Sequence, residues 1–174
     1  MRRSLILVVA VLFAVPAVAR AQWGYGWLGA AASIPTGDAA DALETGFLGI
    51  VGVGINVKSM KGVSVQGEGL FGSRGDGSST LAGFLGNLAY EWNAEAKLHP
   101  YVFAGVGVLV SKPKGGSSNS EGAYQAGGGF SYMAQPKLNI WADVRYLGSG
   151  SDATKMNLRA IAAGISMPFG TGGM

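Results

Sequence analysis

Side-chain character along this chain alternates with a period of two, in segments of about ten residues. In the segment from Phe47 to Val57, one alternating set contains only apolar residues and a glycine: Phe47, Gly49, Val51, Val53, Ile55 and Val57. A period of two is the side-chain period of a β-strand. Strands of this length, repeated around a closed sheet, are what a bilayer requires of a transmembrane barrel.

Eight segments of this kind are separated by turn-forming residues, and they predict eight strands. Their approximate ranges are Gln22–Ile34, Phe47–Val57, Val63–Phe71, Thr80–Trp92, Pro100–Val110, Glu121–Met133, Leu138–Leu147 and Met156–Phe169. The connections Pro35–Thr45, Gly72–Ser79, Lys112–Ser120 and Gly148–Thr154 tend to be longer than those between them, as extracellular loops are longer than periplasmic turns. The sequence therefore predicts an all-β fold, an eight-stranded antiparallel up-and-down transmembrane β-barrel.

The first residues have the features of a targeting segment. The start is positively charged, Leu5 to Val15 is an uninterrupted apolar run, and Ala19-Arg20-Ala21 fits a signal-peptidase site. The run is too short to span a bilayer comfortably, which favours a cleaved signal peptide over an uncleaved anchor helix. We predict a signal peptide over residues 1–21 and a single outer-membrane β-barrel domain over residues 22–174.

The net charge of the chain does not indicate a nucleic-acid partner. The chain has 13 Lys and Arg against 10 Asp and Glu. Three of the cations, Arg2, Arg3 and Arg20, lie in the predicted signal peptide, so the mature chain carries equal numbers of each sign. Cysteine is absent and histidine occurs once, so neither a disulfide framework nor a cluster of metal ligands is indicated. We expect no nucleic acid, no metal and no cofactor.

The polar alternating sets are expected to fill the lumen. An eight-stranded barrel is just wide enough inside for side chains to fill it. Buried charges need partners, so we expect Arg145 to pair with Glu68, Asp143 or both. Such a network is either a plug or the gate of a narrow pore, and the plug is favoured. The predicted lumenal polar side chains are Gln66, Glu68, Asn87, Gln125, Asn139, Asp143 and Arg145.

Aromatic residues cluster at the ends of the predicted strands. Two aromatic belts flanking an aliphatic band are typical of the two interfaces of a bilayer. With a periplasmic N-terminus, Phe47, Phe71, Phe84, Tyr124 and Tyr146 fall near the outer end, and Tyr25 joins the residues of the inner end. The residues predicted to be interface aromatics of the inner belt are Trp23, Trp27, Tyr90, Trp92, Tyr132 and Phe169.

The segment Pro100–Val110 is apolar in both alternating sets, so its alternation leaves the lipid-facing side open. One set consists of four valines and Ala104, and the other contains Tyr101, Phe103 and Leu109 with two glycines. The valine set is the favoured lipid face.

The last strand ends on an aromatic residue, with Ile161, Ala163, Ile165, Met167 and Phe169 on one face. This pattern, and the segment Pro100–Gly107, resemble the outer-membrane protein β-barrel family of small OmpA-like and OmpX-like barrels. The resemblance covers the whole mature chain and implies residence in the cell outer membrane. It also implies that the barrel assembly machinery reads the terminal strand. Here Phe169 is followed by Gly170–Met174, which departs from the family pattern.

No catalytic constellation emerges from the sequence. Outer-membrane acyl hydrolases use a serine, a histidine and an acid or amide partner near the outer leaflet. The single histidine, His99, precedes Pro100 in a predicted periplasmic turn, so we interpret it as a turn residue. We therefore expect a monomeric integral outer-membrane protein without catalysis, with a structural role or a surface ligand bound through its loops, in contact with outer-membrane lipid. The alternatives are a narrow low-conductance pore and a soluble exported barrel that binds an apolar ligand inside.

Overall fold

The chain folds into eight antiparallel strands that close into one barrel. The computed structural model describes residues 24–36, 45–74, 79–93, 96–149 and 157–169. Within these ranges no helix is long and apolar enough to cross a membrane. The strands are β1 (Gly24–Pro35), β2 (Gly46–Asn56), β3 (Val63–Arg74), β4 (Ser79–Glu91), β5 (Leu98–Pro113), β6 (Asn119–Gln135), β7 (Leu138–Ser149) and β8 (Asn157–Phe169).

Each strand pairs with its neighbours in the chain, and β1 pairs with β8 to close the sheet. Gly24 lies opposite both Ile55 and Phe169, so the beginning of β1 and the end of β8 meet at one end of the barrel. We call this end the terminal end and the opposite end the loop end. Closure pairs the backbone groups of every strand on both sides, which a structure inside hydrocarbon requires. The fold class predicted from the sequence is confirmed.

The apolar alternating sets face outward along the barrel. Val144 on β7 is 62% exposed and Val106 on β5 is 70% exposed, while Asp143 and Arg145 on either side of Val144 are buried. The valine set of β5 is therefore the outer face, as favoured above, and Phe103 and Leu109 point inward. An apolar exterior around a polar and packed interior is the arrangement of a membrane barrel. It excludes the soluble barrel, which would need its apolar face inside.

The predicted limits of the connections at the loop end are wrong. Lys112 and Pro113 belong to β5, Asn119 belongs to β6, and β3 continues to Arg74. Backbone pairing between β5 and β6 extends as far as Ser111, which lies opposite Asn119. Hydrophobic alternation reports which residues face lipid, and it ends where a strand leaves the bilayer even though backbone pairing goes on.

The loop-end half of the lumen is filled with aliphatic side chains. We call this set the apolar layer, and each member is 4% exposed or less. Side chains packed in this way interdigitate and leave few voids larger than a water molecule. The members are Leu48, Ile50, Leu70, Leu81, Leu85, Leu109, Leu147 and Leu158.

Candidate functional site

An ion-pair network crosses the middle of the lumen. Asp143 and Arg145 lie two residues apart on β7, so the pleat directs both side chains inward. Arg145 holds Asp143 through two parallel bonds, from Nε to Oδ1 at 2.8 Å and from Nη2 to Oδ2 at 2.7 Å. Its Nη1 donates to Oε1 of Glu68, on β3, at 2.8 Å. One guanidinium therefore bridges two strands on different sides of the barrel.

Neutral groups complete the network. The Tyr101 hydroxyl donates to Asp143 Oδ2 at 2.9 Å, and Gln125 Nε2 donates to Glu68 Oε1 at 2.8 Å. The same Gln125 nitrogen lies 2.8 Å from Asn87 Oδ1. The guanidinium carbon of Arg145 also lies 4.9 Å from the centre of the Phe103 ring. These contacts satisfy charged groups that would otherwise be costly to hold away from water.

A cavity of about 200 Å³ occupies the other half of the lumen. It extends from Arg145 toward the terminal end, where Asn56, Ser64 and Pro136 lie at its rim. Gln66 and Asn139 line it, and Gln66 Nε2 donates to the Tyr25 hydroxyl at 2.7 Å. The lumen therefore has three levels, in the order apolar layer, ion-pair network and cavity.

Trp27, predicted as an interface aromatic of the inner belt, is not one, and Tyr25, predicted for the same end, is not one either. Both side chains point into the lumen, where they line the cavity. The reason lies across the β1–β2 pair, where Trp27 faces Gly52 and Tyr25 faces Gly54. A Cβ at Gly52 would overlap the Trp27 indole, so glycine provides the space in which the ring lies.

His99 is not a turn residue. It is part of β5, its side chain is buried, and its Nε2 lies 2.7 Å from Oε1 of Glu91. Its Nδ1 lies 3.0 Å from the carbonyl oxygen of Ala96, which can only accept, so Nδ1 carries a proton. The β5 ladder begins before Pro100 and brings the imidazole to the wall of the cavity.

Four predicted interface aromatics lie on the outer surface near the terminal end. Tyr90, Trp92, Tyr132 and Phe169 are all exposed, and the rings of Tyr90 and Trp92 meet edge to face at 4.9 Å. Trp23, also predicted for this belt, lies outside the described residues. The signal peptide predicted over residues 1–21 lies outside them as well.

Sequence reasoning did not identify aromatic residues as part of a cavity wall, although the valine face favoured for β5 already directs Tyr101 and Phe103 inward. Tyr101, Phe103 and Trp141 all point inward, and Trp141 lies against Gly29 and Gly164. The signal that could have identified them is an aromatic residue on the same face as charged residues of its strand, with glycines on the strands beside it. Trp141, between Asn139 and Asp143 in the alternation, meets that condition.

Comparisons with known structures agree with the barrel fold. Neisserial surface protein A is similar with a TM-score of 0.72 at 17% identity, over 84% of this chain and 97% of that chain. Ail, the attachment invasion locus protein of Yersinia pestis, gives 0.53 at 18% identity, over 84% and 99% of the two chains. The outer membrane enzyme PagL gives 0.52 at 11% identity, over 81% and 99%. Identities this low show the fold alone.

No curated protein sequence matches the chain significantly. The family model of the outer membrane protein beta-barrel domain matches residues 5–169, which is nearly the whole chain. The outer membrane is the location that this family and the similar structures imply. The chain therefore belongs to the outer membrane protein beta-barrel domain family.

Proposed function

We propose that the protein is a non-conducting, non-catalytic barrel of the outer membrane, exported by a signal peptide that is cleaved after Ala21. In this proposal the domain over residues 22–174 is monomeric, is inserted by the barrel assembly machinery and is surrounded by outer-membrane lipid. The terminal end faces the periplasm, and the loop end faces the cell exterior. The role is structural, or is contact with a surface ligand through the loop end.

The observation that carries the proposal is the apolar layer. A conducting pore needs a continuous path lined by water or polar groups, as in barrels of many more strands. Here Leu85 and Ile50 are fully buried in the loop-end half of the lumen. On the terminal-end side of this layer, Arg145 is held by the carboxylates of Glu68 and Asp143. These features favour a plug over a gate, because both the aliphatic packing and the ion pairs would have to separate before an ion could pass.

The hairpin of β5 and β6 supports a surface role. These are the longest strands described, with 16 and 17 residues, and they continue past the end of the β6–β7 pairing at Ala123. The turn between them contains Gly115 with φ of 79°, and the side chains from Lys112 to Ser120 are exposed. A paired hairpin is a stiffer support for a contact surface than an unpaired loop would be.

The surroundings of His99 support the absence of serine-type catalysis. The chain has one histidine, and both of its ring nitrogens are already engaged, by Glu91 and by the carbonyl of Ala96. It lies near the terminal end, opposite the outer leaflet in the proposed orientation. A serine nucleophile needs a base nitrogen within hydrogen-bond reach. The likeness to an enzyme barrel is therefore a likeness of fold.

Planar-bilayer recording tests the closed lumen. We expect the wild-type protein to give no discrete conductance steps, because the apolar layer blocks the path. Replacing Leu85 and Leu109 together with serine should admit water and produce brief openings. The matched control is Leu88→Ser on the lipid-facing side of the same strand, which should behave like wild type. Regular open states of the wild-type protein would contradict the proposal.

Single-cysteine labelling tests the orientation, and the chain is suited to it because it contains no cysteine. Lys114→Cys, in the β5–β6 turn, should react with a membrane-impermeant maleimide on intact cells. Ser59→Cys, in the turn between β2 and β3, should react only after the outer membrane is opened. The opposite pattern would reverse the orientation, and labelling of neither site in either preparation would rule out an exposed hairpin.

A further inference from the structure

The cavity at the terminal end has features that a mere plug does not need. Its volume of about 200 Å³ compares with the 10–15 Å³ or so that one water molecule occupies by the same kind of measure. It is bounded on one side by the ion-pair network and the apolar layer, and its described lining extends to the terminal end at Asn56, Ser64 and Pro136. A ligand would therefore approach it from the terminal end and not through the apolar layer.

The charges on the cavity wall do not balance. His99 Nδ1 already donates to the Ala96 carbonyl, so a hydrogen bond between His99 Nε2 and Glu91 Oε1 at 2.7 Å uses one proton between the two groups. Glu68 and Asp143 are balanced by Arg145 alone, which leaves one negative charge among the described residues of the wall. A buried unbalanced charge is unfavourable unless a counter-charge accompanies it.

The unbalanced charge is available at Glu68. Both hydrogen bonds that reach this carboxylate from described residues, from Gln125 and Arg145, end on Oε1. The residue is 2% exposed and lines the cavity, so its carboxylate is within reach of a ligand held there. Buried Trp141 also lines the cavity, and its Nε1 has no protein partner among the residues described. Unsatisfied buried groups of this kind indicate that further atoms occupy the lumen.

Aromatic rings form much of the remaining wall. Tyr25, Trp27, Tyr101, Phe103 and Trp141 all line the cavity. Arg145 already uses two of them, with its guanidinium carbon 4.9 Å from the Phe103 ring centre and 6.0 Å from that of Trp141. Aromatic faces combined with a carboxylate are the arrangement that recognises organic cations in proteins.

We infer that the cavity binds a small organic ammonium ion, which enters from the terminal end and places its charged group near Glu68. An inorganic cation would leave most of the cavity empty and the aromatic walls unused. An anion would meet the excess negative charge. The inference goes beyond the proposed function, because a closed barrel remains closed whether or not the cavity holds a ligand.

Calorimetric titration of the full-length protein, purified from membranes and placed in nanodiscs of zwitterionic lipid, tests the inference. The probe is phenethylammonium, and the control is phenylpropanoate, which has a similar shape and the opposite charge. We expect saturable binding of the cation, at least about tenfold tighter than any binding of the anion. Equal binding of the two probes, or no saturable binding of the cation, would overturn the inference. Heat from potassium chloride alone that matches the cation would point to an inorganic ion and would also overturn it.

Variants locate the site. Glu68→Gln keeps the shape and the acceptor for Arg145 but removes the unbalanced charge, and it should weaken phenethylammonium binding by about tenfold or more. The matched control is Glu121→Gln near the loop end, which should leave the affinity unchanged. Retained heat-modifiable gel mobility verifies that each variant is closed. Unchanged affinity in Glu68→Gln would overturn the assignment of the site.

A second pair of variants serves if Glu68→Gln does not fold. Asn139 lines the cavity, is half-buried and has its backbone paired in β7. Asn139→Lys supplies a tethered ammonium that should compete with the probe and abolish its binding. Asn139→Met has similar length without the charge and should retain binding within about threefold. Loss of binding in both variants would mean that shape alone controls the cavity, which contradicts recognition of charge.

Discussion

Replacing Arg145 with methionine is expected to destabilise the barrel by about 3–5 kcal/mol. The substitution preserves much of the side-chain volume, but it leaves Glu68 and Asp143 buried without a cation. Removal of one member of a buried ion pair costs more than the pair itself contributes, because the remaining charge has no compensation. The contact of the guanidinium with Phe103 is lost in addition. Urea unfolding in lipid vesicles, followed by tryptophan fluorescence, measures the change.

Two companion variants separate charge from packing. Arg159→Met changes an exposed arginine on β8 and should alter the free energy of unfolding by less than about 0.5 kcal/mol. The triple variant Arg145→Met, Glu68→Gln and Asp143→Asn removes all three charges together. It should recover most of the lost stability, since a neutral replacement of a buried ion-pair network is often tolerated. A cost below about 1 kcal/mol for Arg145→Met alone would contradict the burial of the network.

The lumenal charges were predictable from the sequence because their positions follow from the alternation alone. Glu68 shares a face with Gln66, and Arg145 shares a face with Asp143, while the residues between them are apolar or small. Once the barrel is closed with eight strands, opposite walls are close enough for a guanidinium to reach across. In strands with one polar alternating set, such as β3 and β7, the residues that face the lumen are therefore a local property of the sequence.

The inward direction of Trp27 was not predictable in the same way. Alternation gives two faces for β1 but does not say which is inside when both contain apolar residues. Which face of β1 lies inside depends on β2, where Gly52 and Gly54 leave room for the rings of Trp27 and Tyr25 opposite them. Such information lies in the register between strands, which is set by the whole sheet and not by either segment alone.

The cavity also depends on register and not on any motif. His99 reaches the cavity wall because β5 begins at Leu98, two residues before the first residue of the predicted strand, Pro100. Proline has no N–H to donate, so it is found only at strand positions where the ladder does not need that donor. A proline in the sequence therefore suggests that a strand begins there, although β5 begins before it. Proline and histidine together suggest a turn, and only the neighbouring strands show that backbone pairing includes them.

The assignment of the apolar faces to the bilayer predicts a large loss of stability when a charge is placed on one of them. Replacing Val144 with arginine should lower the free energy of unfolding by about 2–4 kcal/mol. This side chain lies midway along β7 on the outer surface, so the arginine would place a charge near the bilayer midplane. The matched control is Met167→Arg, exposed near the terminal end of β8, where the cost should fall to about 0–1 kcal/mol because the side chain can reach the interface. Urea unfolding in vesicles of defined thickness gives both values. Equal costs at the two positions would be inconsistent with a bilayer centred on the middle of β7. A Val144→Arg barrel as stable as wild type would mean that the apolar face does not contact hydrocarbon at all.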